Sequence, residues 1–166
     1  MRSLPIAIAA SLALVSVSTS LQGQRAAAPV DPRSLQLLAE GRAARAAGNL
    51  DAATDLFETA VAVDPRNRAA FVALGDTAEA RGLPGKAIRF YREALTLEPN
   101  DVAALAGQGE AMVTKGAVNQ ARANLARIRA LCKGACGEAN RLAAVIAKGP
   151  PVATAQATVP AAPTRE

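Results

Sequence analysis

Small and large apolar residues return along this chain at a fixed spacing of 34 residues. Gly41, Gly75 and Gly109 form one series, Gly48, Gly82 and Gly116 a second, and Ala53, Ala87 and Ala121 a third. Larger apolar residues keep the same register: Leu37, Phe71 and Leu105; Phe57, Tyr91 and Leu125; Val63, Leu97 and Leu131. Periods of about 20–50 residues mark stacked architectures, in which each unit buries its apolar face against the next. Within each unit the pattern predicts two amphipathic helices joined by a glycine turn, over roughly 34–46, 51–63, 68–80, 85–97, 102–114 and 118–131.

The spacing gives each small residue a task. Gly41, Gly75 and Gly109 fall inside the first helix of each unit. A glycine there costs about 1 kcal/mol relative to alanine, which implies a close backbone approach. Gly48, Gly82 and Gly116 are placed to end that helix in the left-handed conformation. Ala53, Ala87 and Ala121 let the second helix pack back, and Pro65 and Pro99 stop it by lacking an amide hydrogen. Asp31-Pro32 reads as a cap followed by a first-turn proline.

Residues 48–65, Gly-Asn-Leu-Asp-Ala-Ala-Thr-Asp-Leu-Phe-Glu-Thr-Ala-Val-Ala-Val-Asp-Pro, closely resemble the second half of a tetratricopeptide repeat, and 82–99 resemble the same half-repeat again. The resemblance covers 34 to about 133, as repeats 34–67, 68–101 and 102–133. The third unit departs most: Ile128 replaces the small residue found at Ala60 and Ala94, and Lys133 stands where proline is expected. Terminal repeats are often altered because they end the stack. A further helix, 137–148, is expected to cover its last face.

The resemblance implies a concave groove lined by the first helices, presenting Leu38, Arg42 and Arg45, then Val72, Asp76 and Glu79, then Ala106, Glu110 and Val113. It also implies a protein or peptide partner. The relatives that grip the terminal carboxylate of heat-shock chaperones use Lys and Asn at positions that here carry Leu38, Arg42, Ala73, Ala103 and Gly107. That clamp is missing from this sequence.

Composition agrees with an all-α class. Apolar residues make up 51% but aromatics only 2%, so the core is built from Ala, Leu, Val and Ile, which suits closely spaced helices. The expected architecture is an α-solenoid of three antiparallel helix pairs plus a C-terminal capping helix, forming one domain over 34–148. Residues 1–24 read as a secretory signal peptide, with Arg2, the apolar stretch Leu4 to Val17 and small residues after it. Residues 25–33 read as a linker and 149–166 as a disordered Pro/Ala/Thr tail. The apolar stretch is shorter than the roughly 20 residues a spanning helix needs, so no stable membrane span is expected after cleavage.

Export makes a disulfide between Cys132 and Cys136, the only thiols, the favoured reading. The helix must break between them, and Lys133-Gly134-Ala135 supplies the break. Free thiols, and a redox or metal role, remain open alternatives.

Charge is uneven: 31–110 carry 9 basic and 12 acidic side chains, whereas 111–148 carry 7 basic and 1 acidic. Without an aromatic stacking platform, and with export expected, the basic third reads as a solvated face rather than a nucleic-acid site. The chain has no His, which removes the usual general base and the commonest metal ligand. No nucleophile-elbow or phosphate-loop motif occurs. The expected function is therefore a non-catalytic interaction module without cofactor or metal. The leading expectation is a periplasmic adaptor or scaffold in an envelope assembly, such as a secretion, pilus or outer-membrane complex. A self-associating structural protein and a thiol redox accessory are the alternatives.

Overall fold

The computed structural model describes residues 29–132 and 136–151. The expected signal peptide, most of the expected tail, and Lys133, Gly134 and Ala135 lie outside the described residues. Among the described residues seven helices follow in order: α1 Pro32–Ala46, α2 Leu50–Val63, α3 Arg68–Ala80, α4 Pro84–Leu97, α5 Val102–Thr114, α6 Val118–Leu131 and α7 Gly137–Lys148. Their ends lie within two residues of those the period predicts. The largest difference is at α1, which takes in Pro32 and Arg33 from the expected linker. Asp31 caps the helix by accepting from the Arg33 amide at 2.7 Å, and proline is suited to the first helical position. Among the described residues there is no strand, and no helix is long and apolar enough to cross a membrane.

The three turns within the pairs share one construction. Gly48, Gly82 and Gly116 adopt φ of 80°, 69° and 80°, a backbone that side-chain-bearing residues avoid. Each donates its amide to the carbonyl three residues back, and the next residue donates to the carbonyl five back, as in Gly48 to Arg45 and Asn49 to Ala44. Two of the helix's last carbonyls are thereby satisfied, and the chain reverses.

Helices α1 and α2, α3 and α4, and α5 and α6 pack as pairs, successive pairs stack through α2 with α3 and α4 with α5, and α7 covers α5 and α6. The glycines inside the first helices make room for side chains rather than for a neighbouring backbone. A Cβ on Gly41 would lie 2.5 Å from the Phe57 ring, and one on Gly75 2.6 Å from the Tyr91 ring. In the third unit the corresponding partner is not Leu125 but Leu142 of α7, 2.7 Å from a Cβ on Gly109. The capping helix thus supplies the last plug. Ile128 and Leu142, both fully buried, meet in that terminal cluster, which explains the larger residue at 128. Val63, Leu97 and Leu131, although in register with the core series, lie at 37%, 41% and 37% exposure in the last turns of the second helices.

Polar groups join the first two units. Asn67, buried, caps α3 by accepting from the Ala70 amide, while its amide nitrogen donates to Ser34 Oγ at 2.8 Å; Ser34 in turn donates to the Ala60 carbonyl at 2.7 Å. One network therefore ties α1, α2 and α3. Beside it, Asp64 accepts from Arg66 and from the Asp31 amide. The Arg66 side-chain hydrogen bonds, helped by those amides, hold its carboxyl down at about 2.

Candidate functional site: a bipolar groove on the first helices

Helices α1, α3 and α5 share one side of the stack and form a groove whose two ends carry opposite charge. The basic end is a hollow of about 190 Å³ containing Arg42, Arg45 and Arg68 over a floor of Ala69, Ala73 and Ala103. The acidic end is a hollow of about 400 Å³ containing Glu79, Glu110 and Glu138, with Tyr91, Gly107 and Arg141. Val72, Asp76 and Ala103 belong to both.

Helical spacing explains which residues reach this surface. In α1 the buried face is Ser34, Leu38 and Gly41, directed at α2, and Arg42 and Arg45 flank it on the groove side. In α3 the half-buried Val72, Asp76 and Glu79 recur at i, i+4 and i+7, one face of the helix. Six of the nine residues expected to line the groove are therefore on or beside it: Arg42, Arg45, Val72, Asp76, Glu79 and Glu110.

The other three are corrected. Leu38 is 4% exposed and packs with Phe57 and Leu74 in the first core cluster. Ala106, fully buried, belongs to the terminal cluster with Ile128 and Leu142, and Val113 is 1% exposed. The cause at α5 is the cap: α7 lies across α5 and closes faces that an inner repeat would leave open. The same helix contributes Glu138 and Arg141, which the repeat pattern did not nominate because they lie outside the 34-residue register. Arg68 and Ala69 were also missed, whereas the family resemblance places Ala73 and Ala103 at the groove's clamp positions. Tyr91 registered only as a core ring; its hydroxyl reaches the groove.

Charged groups in the groove are largely engaged with one another. Arg45 pairs with Asp76 at 2.9 Å, Arg68 with Asp101, and Arg141 with Glu110 at 2.6 Å. The Arg45–Asp76 and Arg141–Glu110 pairs, partly exposed, are worth under about 1 kcal/mol each and exchange readily for a ligand's charges, whereas Asp101 is buried. Tyr91 Oη lies 2.8 Å from Asp76 Oδ1 and 2.9 Å from Glu79 Oε2. Burial raises the Glu79 carboxyl to about 7, against the Tyr91 hydrogen bond and with the help of Glu110 and Asp76. Burial, reinforced by Asp76 and Glu79, pushes the Tyr91 phenol well above its usual range. The hydrogen bond to Glu110 raises Arg141.

Among the described residues no group of three or more His, Cys, Asp or Glu is arranged to hold a metal ion. Cys132 and Cys136 sit at the α6 to α7 junction, with their Cα atoms 5.9 Å apart, inside the span a disulfide requires.

The tetratricopeptide-repeat family model matches residues 38–102. No curated protein sequence matches the chain. Among solved structures, the Sgt2 tetratricopeptide domain from Aspergillus fumigatus is 22% identical with a TM-score of 0.66, covering 71% of this chain and 79% of that one. The first tetratricopeptide domain of Spaghetti (RPAP3), bound to the HSP90 peptide SRMEEVD, is 19% identical with a TM-score of 0.65, covering 70% and 91%. The Yersinia enterocolitica type III secretion chaperone SycD, in complex with a peptide of the translocator YopD, is 18% identical with a TM-score of 0.64, covering 69% and 89%. At these identities the likeness establishes the fold. The 34-residue period, the stacked helix pairs and these matches together identify residues 38–102 as tetratricopeptide repeats and the described helices as a tetratricopeptide-type fold.

Proposed function

We propose that this protein is a non-catalytic interaction module whose groove receives an extended peptide or a partner helix of mixed charge. The observation that carries this reading is the polarity of the groove, with Arg42, Arg45 and Arg68 at one end and Glu79, Glu110 and Glu138 at the other. A partner segment with acidic residues toward α1 and basic residues toward α7 is complementary to it, and complementarity of this kind sets orientation and encounter rate more than raw affinity. Two structurally similar domains hold peptides, which supports a peptide-sized occupant. Leu38, Arg42, Ala73, Ala103 and Gly107 occupy the terminal-carboxylate clamp positions, so the occupant differs from a chaperone tail.

The leader-like residues 1–24 support export to the periplasm, where the module serves as an adaptor or scaffold in an envelope assembly. In that compartment Cys132 and Cys136 form a disulfide that fixes α7 to the end of α6. Crosslinking and pull-down from the envelope fraction test the reading with wild type and Arg42→Glu, whose side chain is exposed and faces the groove. A partner recovered with wild type and depleted with Arg42→Glu is expected. Recovery of the same proteins by both sinks the groove as the binding surface.

A further inference from the structure

Tyr91 Oη is within hydrogen-bond distance of two carboxylate oxygens, 2.8 Å from Asp76 Oδ1 and 2.9 Å from Glu79 Oε2. A phenol has one hydrogen to donate, and an ionised carboxylate has none. Two ionised acids would have to divide that single hydrogen. Each of the two short contacts has a hydrogen of its own when one carboxyl carries a proton and donates it to the phenol oxygen, while the phenol donates to the other.

The surroundings decide which acid holds it. Asp76 uses its second oxygen to accept from Arg45 at 2.9 Å, so it is the acceptor of the phenol hydrogen. Glu79 has no cation at ion-pair distance among the described residues; Arg141, the nearest candidate, is bonded to Glu110. The groups that face Glu79 are Asp76 on its own helix, Tyr91 from α4, Glu110 from α5, and Glu138 and Arg141 from α7. The ring cannot swing aside: Tyr91 is fully buried, and a Cβ on Gly75 or Gly107 would lie 2.6 or 2.4 Å from it, so both glycines are already in contact with its faces.

We propose that Tyr91, Asp76 and Glu79 hold one shared proton, and that its loss as pH rises strengthens the acidic end of the groove toward a cationic segment of the partner. The proposal rests on the groove being the binding surface and adds its regulation. Protonated, the acidic end lacks one of its charges. A basic side chain and the proton then compete for the same place, so cationic binding releases the proton. The elevated Glu79 carboxyl, at about 7, puts the transition near neutrality.

Carboxyl carbon NMR on the full chain, in wild type and Glu79→Gln, reads the proton directly. One glutamate signal titrating with a midpoint near about 7, and missing in Glu79→Gln, is expected; a Glu79 midpoint in the ordinary carboxylate range overturns the shared proton whatever any ligand does. Calorimetry with a capped hexalysine peptide reads the coupling. The deprotonated fraction of a group titrating near 7 rises about tenfold from about pH 6 to about pH 8, so wild-type affinity should rise by up to that factor and Glu79→Gln should stay flat. A midpoint near 7 with flat wild-type affinity overturns the coupling alone. Absence of hexalysine binding at both pH values in both proteins overturns the coupling together with the cationic half of the groove reading.

Discussion

Two glycine-to-alanine changes should move stability in opposite directions. Gly75 lies mid-α3 and Gly85 in the first turn of α4. In an open helix, alanine gains up to about 1 kcal/mol over glycine, less in a first turn. A Cβ on Gly85 meets nothing within 4 Å, so Gly85→Ala should stabilise by about 0.5 kcal/mol. A Cβ on Gly75 falls 2.6, 2.7 and 2.8 Å from three atoms of the Tyr91 ring. The ring is rigid and fully buried, and Gly107 of α5 also packs close to it, a Cβ there falling 2.4 Å from Tyr91 Cζ. Overpacking a tight core costs about 1–3 kcal/mol, and a ring trapped between two helices places this site toward the upper end. Subtracting the propensity gain leaves Gly75→Ala less stable by about 2 kcal/mol. Urea unfolding followed by far-ultraviolet circular dichroism, with wild type and both variants at one pH, measures the two differences. Stabilisation of Gly75→Ala to the same extent as Gly85→Ala would refute the claim that Gly75 is there to seat the Tyr91 ring.

Asn67→Ala removes an N-cap and the donor to buried Ser34 at once, and should cost about 2–3 kcal/mol in the same unfolding measurement, more than the roughly 1 kcal/mol of a cap alone. Cys132→Ser with Cys136→Ser should lower stability by about 2 kcal/mol under oxidising conditions, the chain-entropy value for so short a loop, and by nothing measurable in excess reductant; an equal loss in both conditions would point to packing instead. The Glu79 proton carries a signature of its own in stability. Its folded value of about 7 lies above the ordinary 4.5, so the folded state holds the proton more tightly. This contribution is full below about 4.5, falls as pH rises through 7, and is constant beyond; Glu79→Gln should flatten that part of the profile.

Helix positions, turns and the end of the stack were legible because they depend on neighbours in sequence. Gly48, Gly82 and Gly116 specify a left-handed turn wherever the chain happens to be, and Pro65 and Pro99 lack an amide in any fold. The period of 34 then forces like units to stack, since none can bury its apolar face alone. Part of the groove followed as well: the family resemblance nominated Val72, Asp76 and Glu79, which share a helical face at i, i+4 and i+7.

What escaped depends on contacts between residues far apart. Nothing local distinguishes Leu125 from Leu142 as the plug over Gly109, yet the cap supplies it, because α7 packs on α5. The same packing buries Ala106 and Val113 and brings Glu138 and Arg141 to the groove. Tyr91 shows the division within one side chain. Its ring belongs to the periodic core that the sequence by itself determined, while its hydroxyl meets Asp76 and Glu79 only because α4 packs back on α3. Periodicity records which residues must be buried; the charge and proton count of a surface are set by which ends of those residues meet across helices, and only the tertiary structure decided that.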